Sequence, residues 1–219
     1  MSEDILIRKA IKTDIDFIVE SIVQAEKGMG NTISYCTLFD ITEKEFRDVA
    51  GKILDEGISN FEFSLDSFMI AESGGKPAGA YGAWLEGADG ISSGLLKMSA
   101  LRSFLKKDNI IHYKSLAGIA NEISFNRQAG TMQYESIYIP EAFRGRNIGS
   151  MLVEALSNNL RIQYPRVDEA FVQLMKHNTV SLQAHVKYGF KIVDQKTGTN
   201  TLLFKVYSGN SRVLMKKPL

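Results

Sequence analysis

A single cysteine, Cys36, excludes an internal disulfide and leaves no thiolate set for a metal. It reads as a small apolar side chain. An excess of one charge is also lacking: 26 Lys and Arg face 25 Asp and Glu, a net charge of +1. That balance offers nothing to attract nucleic acid or an anionic membrane, so neither is an expected partner. No apolar run approaches the length of a bilayer-spanning helix. The opening Met1-Ser2-Glu3-Asp4 is acidic, unlike a secretory signal, so the cytoplasm is the expected compartment. Neither Gly-x-x-x-x-Gly-Lys-[Ser/Thr] nor Gly-x-Gly-x-x-Gly occurs, which removes two common nucleotide-binding turns. There is no internal repeat and no low-complexity tract. With 219 residues, 44% of them hydrophobic, the chain can build one domain with an insertion.

What is present centres on the stretch from Glu135 to Leu160. Ile137 and Ile139 alternate with their neighbours as in a strand, and Pro140 marks where pairing should stop. A short turn follows with Arg144, Gly145, Arg146 and Asn147. Leu152, Val153, Leu156 and Leu160 then recur at helical spacing. A strand, a basic turn and a helix start together form an anion site. The first helical N–H groups have no partner inside the helix, and the dipole favours negative charge there.

Arg144-Gly-Arg-Asn147-Ile-Gly149 resembles the acyl-CoA loop of the GNAT N-acetyltransferase superfamily, [Q/R]-x-x-G-x-[G/A]. Asn replaces the fourth-position Gly; it is among the few other residues that tolerate a positive φ. The preceding Glu-x-Ile-x-Ile resembles the family's central strand. Asn178…Ala184-His-Val-Lys-Tyr-Gly-Phe190 resembles its Asn…Ala-x-x-Tyr-x-x-x-Gly-Phe segment. The resemblance implies an α/β fold with a mixed sheet of about six or seven strands flanked by helices. It implies a single acyl-CoA N-acyltransferase domain over residues 1–219, with residues 86–130 as a helical insertion before the central strand. The implied activity is transfer of acetyl from acetyl-CoA, the cosubstrate, to a small-molecule primary amine by direct attack, with no metal. The cosubstrate would run along Ile137, Tyr138 and Ile139, the turn Arg144, Gly145, Arg146, Asn147, Ile148, Gly149 and Ser150, and Asn178.

Glu135 shares the parity of Ile137 and Ile139, which places its carboxylate in their row. In the family a glutamate at this distance before the loop often serves as general base, and Gln133 could orient substrate from the same face. The alternative is a structural carboxylate, in water or paired with an arginine such as Arg127. Ser181, His185 and Tyr188 share one helix face. The resemblance puts the family's tyrosine slot at His185 and places Tyr188 directly before Gly189. Family position therefore points to His185 as donor to the departing thiolate, whereas acid strength at neutral pH points to Tyr188. The reading adopted is a His185 that faces the thioester as a modest contributor. Two other functional classes stay open: a protein or peptide N-terminal acetyltransferase, and a catalytically silent acyl-CoA-binding regulatory module.

Elsewhere Ile5 and Ile7 suggest a first strand, and Thr13 with Asp16 a cap for a helix through Ile22 to Gly28. Residues 29–40 have no period and read as loop. Thr42 and Glu45 form a capping box for a helix ending at Gly57. Residues 68–72 and 77–85 read as a hairpin. In the insertion, Leu95, Met98, Leu101 and Leu105 mark one helix, and Leu116, Ile119 and Ile123 a second, with a break at Asp108-Asn109. This pair could cap the acceptor site, bury a homodimer surface or enlarge the core; apolar stripes chiefly report burial, which favours the structural roles. Ala170 to Leu174 form a strand, and Asn178 or Thr179 caps the next helix. Residues 190–193 and 201–207 read as two closing strands, with the Lys216-Lys217 tail left over.

Overall fold

The computed structural model describes residues 4–219; the acidic Met1-Ser2-Glu3 lies outside the described residues. Seven strands form one sheet in the order β1-β2-β3-β4-β5-β7-β6. They are β1 Ile5–Lys9, β2 Phe68–Ser73, β3 Lys76–Leu85, β4 Met132–Tyr138, β5 Glu169–Met175, β6 Lys191–Thr197 and β7 Ser211–Pro218. Every neighbouring pair is antiparallel except β4–β5, which is parallel.

Helices cover both faces. One face carries α1 (Ile15–Lys27), α2 (Ser34–Phe39), α3 (Glu43–Asp55), the insertion helices α4 (Ser93–Phe104) and α5 (Lys107–Asn121), and α8 (Leu203–Tyr207). Their core gathers Ile18, Ile22, Phe39, Phe46, Ile53, Phe61 and Phe63. The other face carries α6 (Ile148–Gln163) and α7 (Thr179–Lys187), whose core joins Leu152, Val153 and Leu156 to Tyr81, Tyr134 and Phe190. Among the described residues, no helix is long and apolar enough to cross a membrane.

Four local expectations are corrected. The stretch expected as loop contains α2, a one-and-a-half-turn helix held by burial of Tyr35, Leu38 and Phe39 rather than by a period long enough to detect. Thr13 does not cap α1. A short 3₁₀ turn, Lys12–Asp14, precedes it, and the Asp14 carboxylate accepts from Arg8 at 2.7 and 2.9 Å and from the Ile11 N–H at 2.8 Å. The insertion helices break at Leu105-Lys106 instead of Asp108-Asn109, because the Asn109 side chain accepts the Lys106 N–H at 3.2 Å and so starts α5. Residues 203–207 form α8, burying Leu203 and Val206 one turn apart, and the final strand is β7, which runs through the Lys216-Lys217 tail.

The capping box at Thr42 forms as expected: its hydroxyl accepts the Glu45 N–H at 3.2 Å, and Glu45 accepts the Thr42 N–H at 2.8 Å. Thr42→Ala should lower stability by about 1 kcal/mol, read as a shifted urea midpoint at unchanged slope. An unaltered midpoint would show that α3 is held by its buried face alone.

Candidate active site

The site begins with an irregularity in β4. Gly82 pairs with Glu135 and Ala80 with Tyr138, so β4 carries one residue more than β3 between these points. Ser136 takes φ +65° there, and its carbonyl accepts the Ser21 hydroxyl at 2.9 Å. An extra residue of this kind is a β-bulge, which bends the strand and reverses side-chain parity beyond it. Ile137 and Ile139 therefore join the α6 face, while Glu135 lies opposite, on the face of Gln133. This corrects the expectation that Glu135 shares a row with the two isoleucines. Gln133 is buried and its amide donates to the Thr131 hydroxyl at 2.8 Å.

On its other edge β4 meets β5 only from Met132 to Tyr134. Both strands continue, to Tyr138 and Met175, without pairing each other, so a wedge opens between them. At its mouth Asn178 caps α7, accepting the Ser181 N–H at 3.2 Å. A Cβ on Gly28, at the end of α1, would lie 2.8 Å from the Asn178 amide nitrogen, so α1 closes against this corner.

The basic turn leads from β4 to α6. Asn147 is the N-cap of α6 and adopts φ +59°, the left-handed conformation that its place in a Gly slot requires. Gly145 also has a positive φ, +81°. The first α6 bond runs from the Met151 N–H to the Asn147 carbonyl at 3.2 Å. The N–H groups of Ile148, Gly149 and Ser150 precede it and lack intrahelical acceptors. Arg144 donates to the Ile139 carbonyl at 3.1 Å, and the Arg146 guanidinium lies 5.8 Å from the Phe143 ring centre and reaches Ser73 at 3.4 Å. The Tyr138 ring tilts against Phe17 at 6.2 Å. The turn thus presents backbone donors within positive surroundings, the requirement for an anionic phosphate chain.

The α7 residues divide. A Cβ on Gly149 would overlap the Tyr188 hydroxyl, so Tyr188 stands directly on the start of α6 and glycine is required there. Burial pushes the Tyr188 phenol above its usual value, which keeps it protonated and able to donate. His185 does not face the wedge, which corrects the expectation of an imidazole at the thioester. It is fully buried, with Nδ1 2.7 Å from the Ser181 carbonyl and Nε2 2.6 Å from the Tyr81 hydroxyl. With Nδ1 donating to a carbonyl, Nε2 must accept from Tyr81, and both nitrogens are spent.

On the opposite face Glu135 enters a cluster of charges. Arg127 donates to it at 2.5 Å and lies 5.0 Å from the centre of the Trp84 ring. Glu62 pairs with Lys97 and lies 3.6 Å from Arg127. Burial raises the Glu135 carboxyl, only partly offset by Arg127, yet its side chain keeps 34% exposure. Solvent therefore reaches one side of a carboxylate that is otherwise enclosed by the cluster. Lys97 and Arg127 come from residues 86–130, so the insertion contributes charge to the site as well as core. The Gln173 side chain of β5 holds this segment in place, accepting the Phe125 N–H at 3.2 Å and donating to its carbonyl at 3.0 Å. Glu62 and Lys97 carried no sequence signal, because only proximity between distant segments joins them, and the same holds for Tyr81 against His185 on the other face. A separate cavity of about 280 Å³ at the far end of α6, lined by Asp66, Asp89 and Tyr164, shares only Trp84 with this cluster.

Residues 35–190 match the family model described as Acetyltransferase (GNAT) family. No curated protein matches the chain. Among solved structures it resembles an N-acetyltransferase from Staphylococcus aureus Mu50, with TM-score 0.59 and 16% identity over 96% of this chain and 99% of that one. The Salmonella typhimurium protein yncA, solved with its cofactor acetyl-CoA, has TM-score 0.52 and 15% identity over 98% and 94%. A ribosomal-protein-alanine N-acetyltransferase from Brucella melitensis has TM-score 0.53 and 14% identity over 98% and 99%.

Burial lowers the His185 pKa to about 4, against the raising effect of the Ser181 carbonyl. The unfolded imidazole titrates near 6.5. Between these values the unfolded chain binds the extra proton, so stability from a neutral His185 is present above about pH 6.5 and is lost as pH falls toward 4. The His185 ring resonances should accordingly stay fixed between about pH 8 and pH 5.5 in an NMR titration. A midpoint near 6.5 would place the imidazole in solvent.

Proposed function

The chain belongs to the GNAT acetyltransferase family, and from that premise we propose that it transfers the acetyl group of acetyl-CoA to a primary amine by direct attack. The observation that carries the reading is the pairing of a donor-lined turn, at the start of α6, with a carboxylate of raised proton affinity across the opened sheet. The CoA phosphates fit the N–H groups of Ile148, Gly149 and Ser150 beside Arg144 and Arg146, and Gly149 lets the Tyr188 hydroxyl stand at this turn. Ile137, Tyr138 and Ile139 offer the backbone edge turned away from β3, and Asn178 flanks the mouth of the wedge.

Bound acetyl-CoA supplies an acetyl group activated as a thioester. Glu135 is the general base: burial raises its pKa toward the range in which a carboxylate can take a proton from an ammonium. Tyr188 takes the donor role for which His185 is unavailable, since it stands at the turn with its proton retained. The whole chain acts as a single catalytic domain. The N-terminal acetyltransferase and silent-module readings have no observation in their favour to match the charge cluster around Glu135.

Acetyl-CoA at 100 times its dissociation constant should stabilise the protein by about 2.7 kcal/mol, and Gly149→Val should abolish that gain. No thermal shift at millimolar acetyl-CoA would refute the reading.

Glu135→Gln should keep this binding while slowing transfer by about 10²–10⁴-fold, with the loss shrinking at high pH where free amine is abundant. The wild-type acidic limb of kcat/KM should disappear in the same variant. An unchanged rate at neutral pH would leave Glu135 as a structural ion-pair partner.

A further inference from the structure

A carboxylate that acts as a base becomes neutral, and Glu135 is the counter-charge of Arg127. The Arg127 guanidinium donates through Nη2 to Glu135 Oε2 at 2.5 Å and through Nη1 to the Ser93 hydroxyl at 3.3 Å. It lies 5.0 Å from the centre of the Trp84 ring, and only 20% of the side chain is exposed. An enclosed cation left without a partner is strongly unfavourable. A fixed Arg127 would therefore resist the proton transfer that the reaction requires.

A second station lies beside it. Glu62 is only 3% exposed, and its two oxygens differ. Oε1 holds the Lys97 ammonium and accepts the Tyr35 hydroxyl at 3.3 Å, whereas Oε2 has no hydrogen-bond donor among the described residues. Buried carboxylate oxygens are rarely left in that state. Arg127 Nη1 stands 3.6 Å from this Oε2, just beyond hydrogen-bond distance.

The other charged and titratable groups around the pair are committed. Glu86, at the end of β3, accepts the Trp84 indole N–H at 3.2 Å, the Ser93 N–H at 2.9 Å and the Ser93 hydroxyl at 2.5 Å. Glu26 of α1 accepts the Ser34 N–H at 3.0 Å and the Ser34 hydroxyl. Tyr35 of α2 and Tyr81 of β3 stay protonated, because burial pushes both phenols well up. The two glutamates next to Arg127 part ways. Burial raises Glu62, but Lys97 and Arg127 outweigh it and hold that carboxyl below its usual value. In Glu135 burial wins. A proton entering the cluster thus goes to Glu135, and Glu62 keeps its charge.

We propose that Arg127 is a movable positioning residue, which holds Glu135 in the resting site and passes to Oε2 of Glu62 when Glu135 takes a proton from the acceptor ammonium. The proton leaves the ammonium nitrogen for the Glu135 carboxylate, which becomes neutral, and the amine is left with a free electron pair. The guanidinium moves to Glu62 Oε2 while Lys97 stays on Oε1, with Trp84 as the surface over which Arg127 slides. It returns when the proton escapes through the 34% of Glu135 that solvent reaches. Arg127 is paired at every stage, so it does not oppose the base.

The inference rests on Glu135 as the base, but its test needs neither acetyl-CoA nor an acceptor, so the two readings fail separately. Protonation of Glu135 is followed by the NMR resonance of its side-chain carboxyl carbon, assigned with Glu135→Gln. Glu62→Gln should lower the midpoint by about one pH unit or more, because protonation then strands Arg127. In an Arg127→Gln background the same change should move the midpoint much less. Lys97 loses its partner in both backgrounds, so its contribution cancels. Plain repulsion between Glu62 and Glu135 gives the reverse, an equal or larger shift once no guanidinium stands between them, and that result overturns the proposal. The crystal structure of Glu135→Gln, which removes the charge at nearly constant shape, decides the matter even if the Glu62 variants fail to fold. Arg127 should there lie within hydrogen-bond distance of Glu62 Oε2. A guanidinium still on residue 135, with Glu62 Oε2 lacking a donor, refutes the hand-over. A wild-type protein with no acetyl-CoA thermal shift fails at the earlier reading and takes this one with it.

Discussion

One extra residue in β4 governs the geometry of the whole site. Ser136, held in a left-handed conformation and tied to Ser21 of α1 through its carbonyl, lets the strand carry side chains on different faces before and after the bulge. Without it Glu135 would point into the apolar layer under α6 with Ile137 and Ile139, where a carboxylate has no partner. With it the same strand serves two functions. Its first half aims Glu135 at the polar face, and its second half borders the wedge that leads to the basic turn. Pairing with β5 ends at Tyr134, just before the bulge, so the bend and the parting of the strands coincide.

The polar face is built by segments distant in the chain. Glu62 comes from the loop after α3, Lys97 from α4, Arg127 from the end of the insertion and Glu135 from β4. Such a cluster is poorly explained by stability, since burying ion pairs seldom repays the desolvation of both charges. A strongly polar cluster with one buried carboxylate oxygen left without a donor is better explained as a functional surface. Burial and nearby carboxylates raise Glu135 while Arg127 and Lys97 pull it down, so its proton affinity depends on where the cations sit. Any group that moves Arg127 also shifts the proton affinity of Glu135.

On the opposite face α7 shows how one substitution reassigns a position. An imidazole at residue 185 is short enough to stay in the core, where Tyr81 meets its Nε2 and the Ser181 carbonyl its Nδ1. Burial then holds it neutral. The phenol that reaches the basic turn belongs to Tyr188, nearly one helical turn later, and it occupies the space left by the missing side chain of Gly149. Tyr188 and Gly149 are thus interdependent although 39 residues separate them in the sequence.

Local rules were enough for much of this protein. The hairpin of β2 and β3, the alternation in β5, the capping box at Thr42, the turn from Arg144 to Gly149 with its positive-φ Asn147, and the Asn178 cap all rest on interactions within a few residues, and all are legible in the sequence. The short helices α2 and α8 were not, because five or six residues cannot display a period and are held by what they bury. The site itself was half legible. The turn could be read from its own residues, but the side on which Glu135 lies depends on a bulge that no residue type announces. The Arg127 partner of Glu135, eight residues away, was among the sequence readings, but the burial of His185 depends on Tyr81, more than one hundred residues distant, and Glu62 and Lys97 join the cluster only when the insertion packs against the sheet. Residue chemistry and spacing determined the fold class and the anion turn. Tertiary packing alone decided which charged and titratable groups come together, because burial and partner, not residue type, set what each can do.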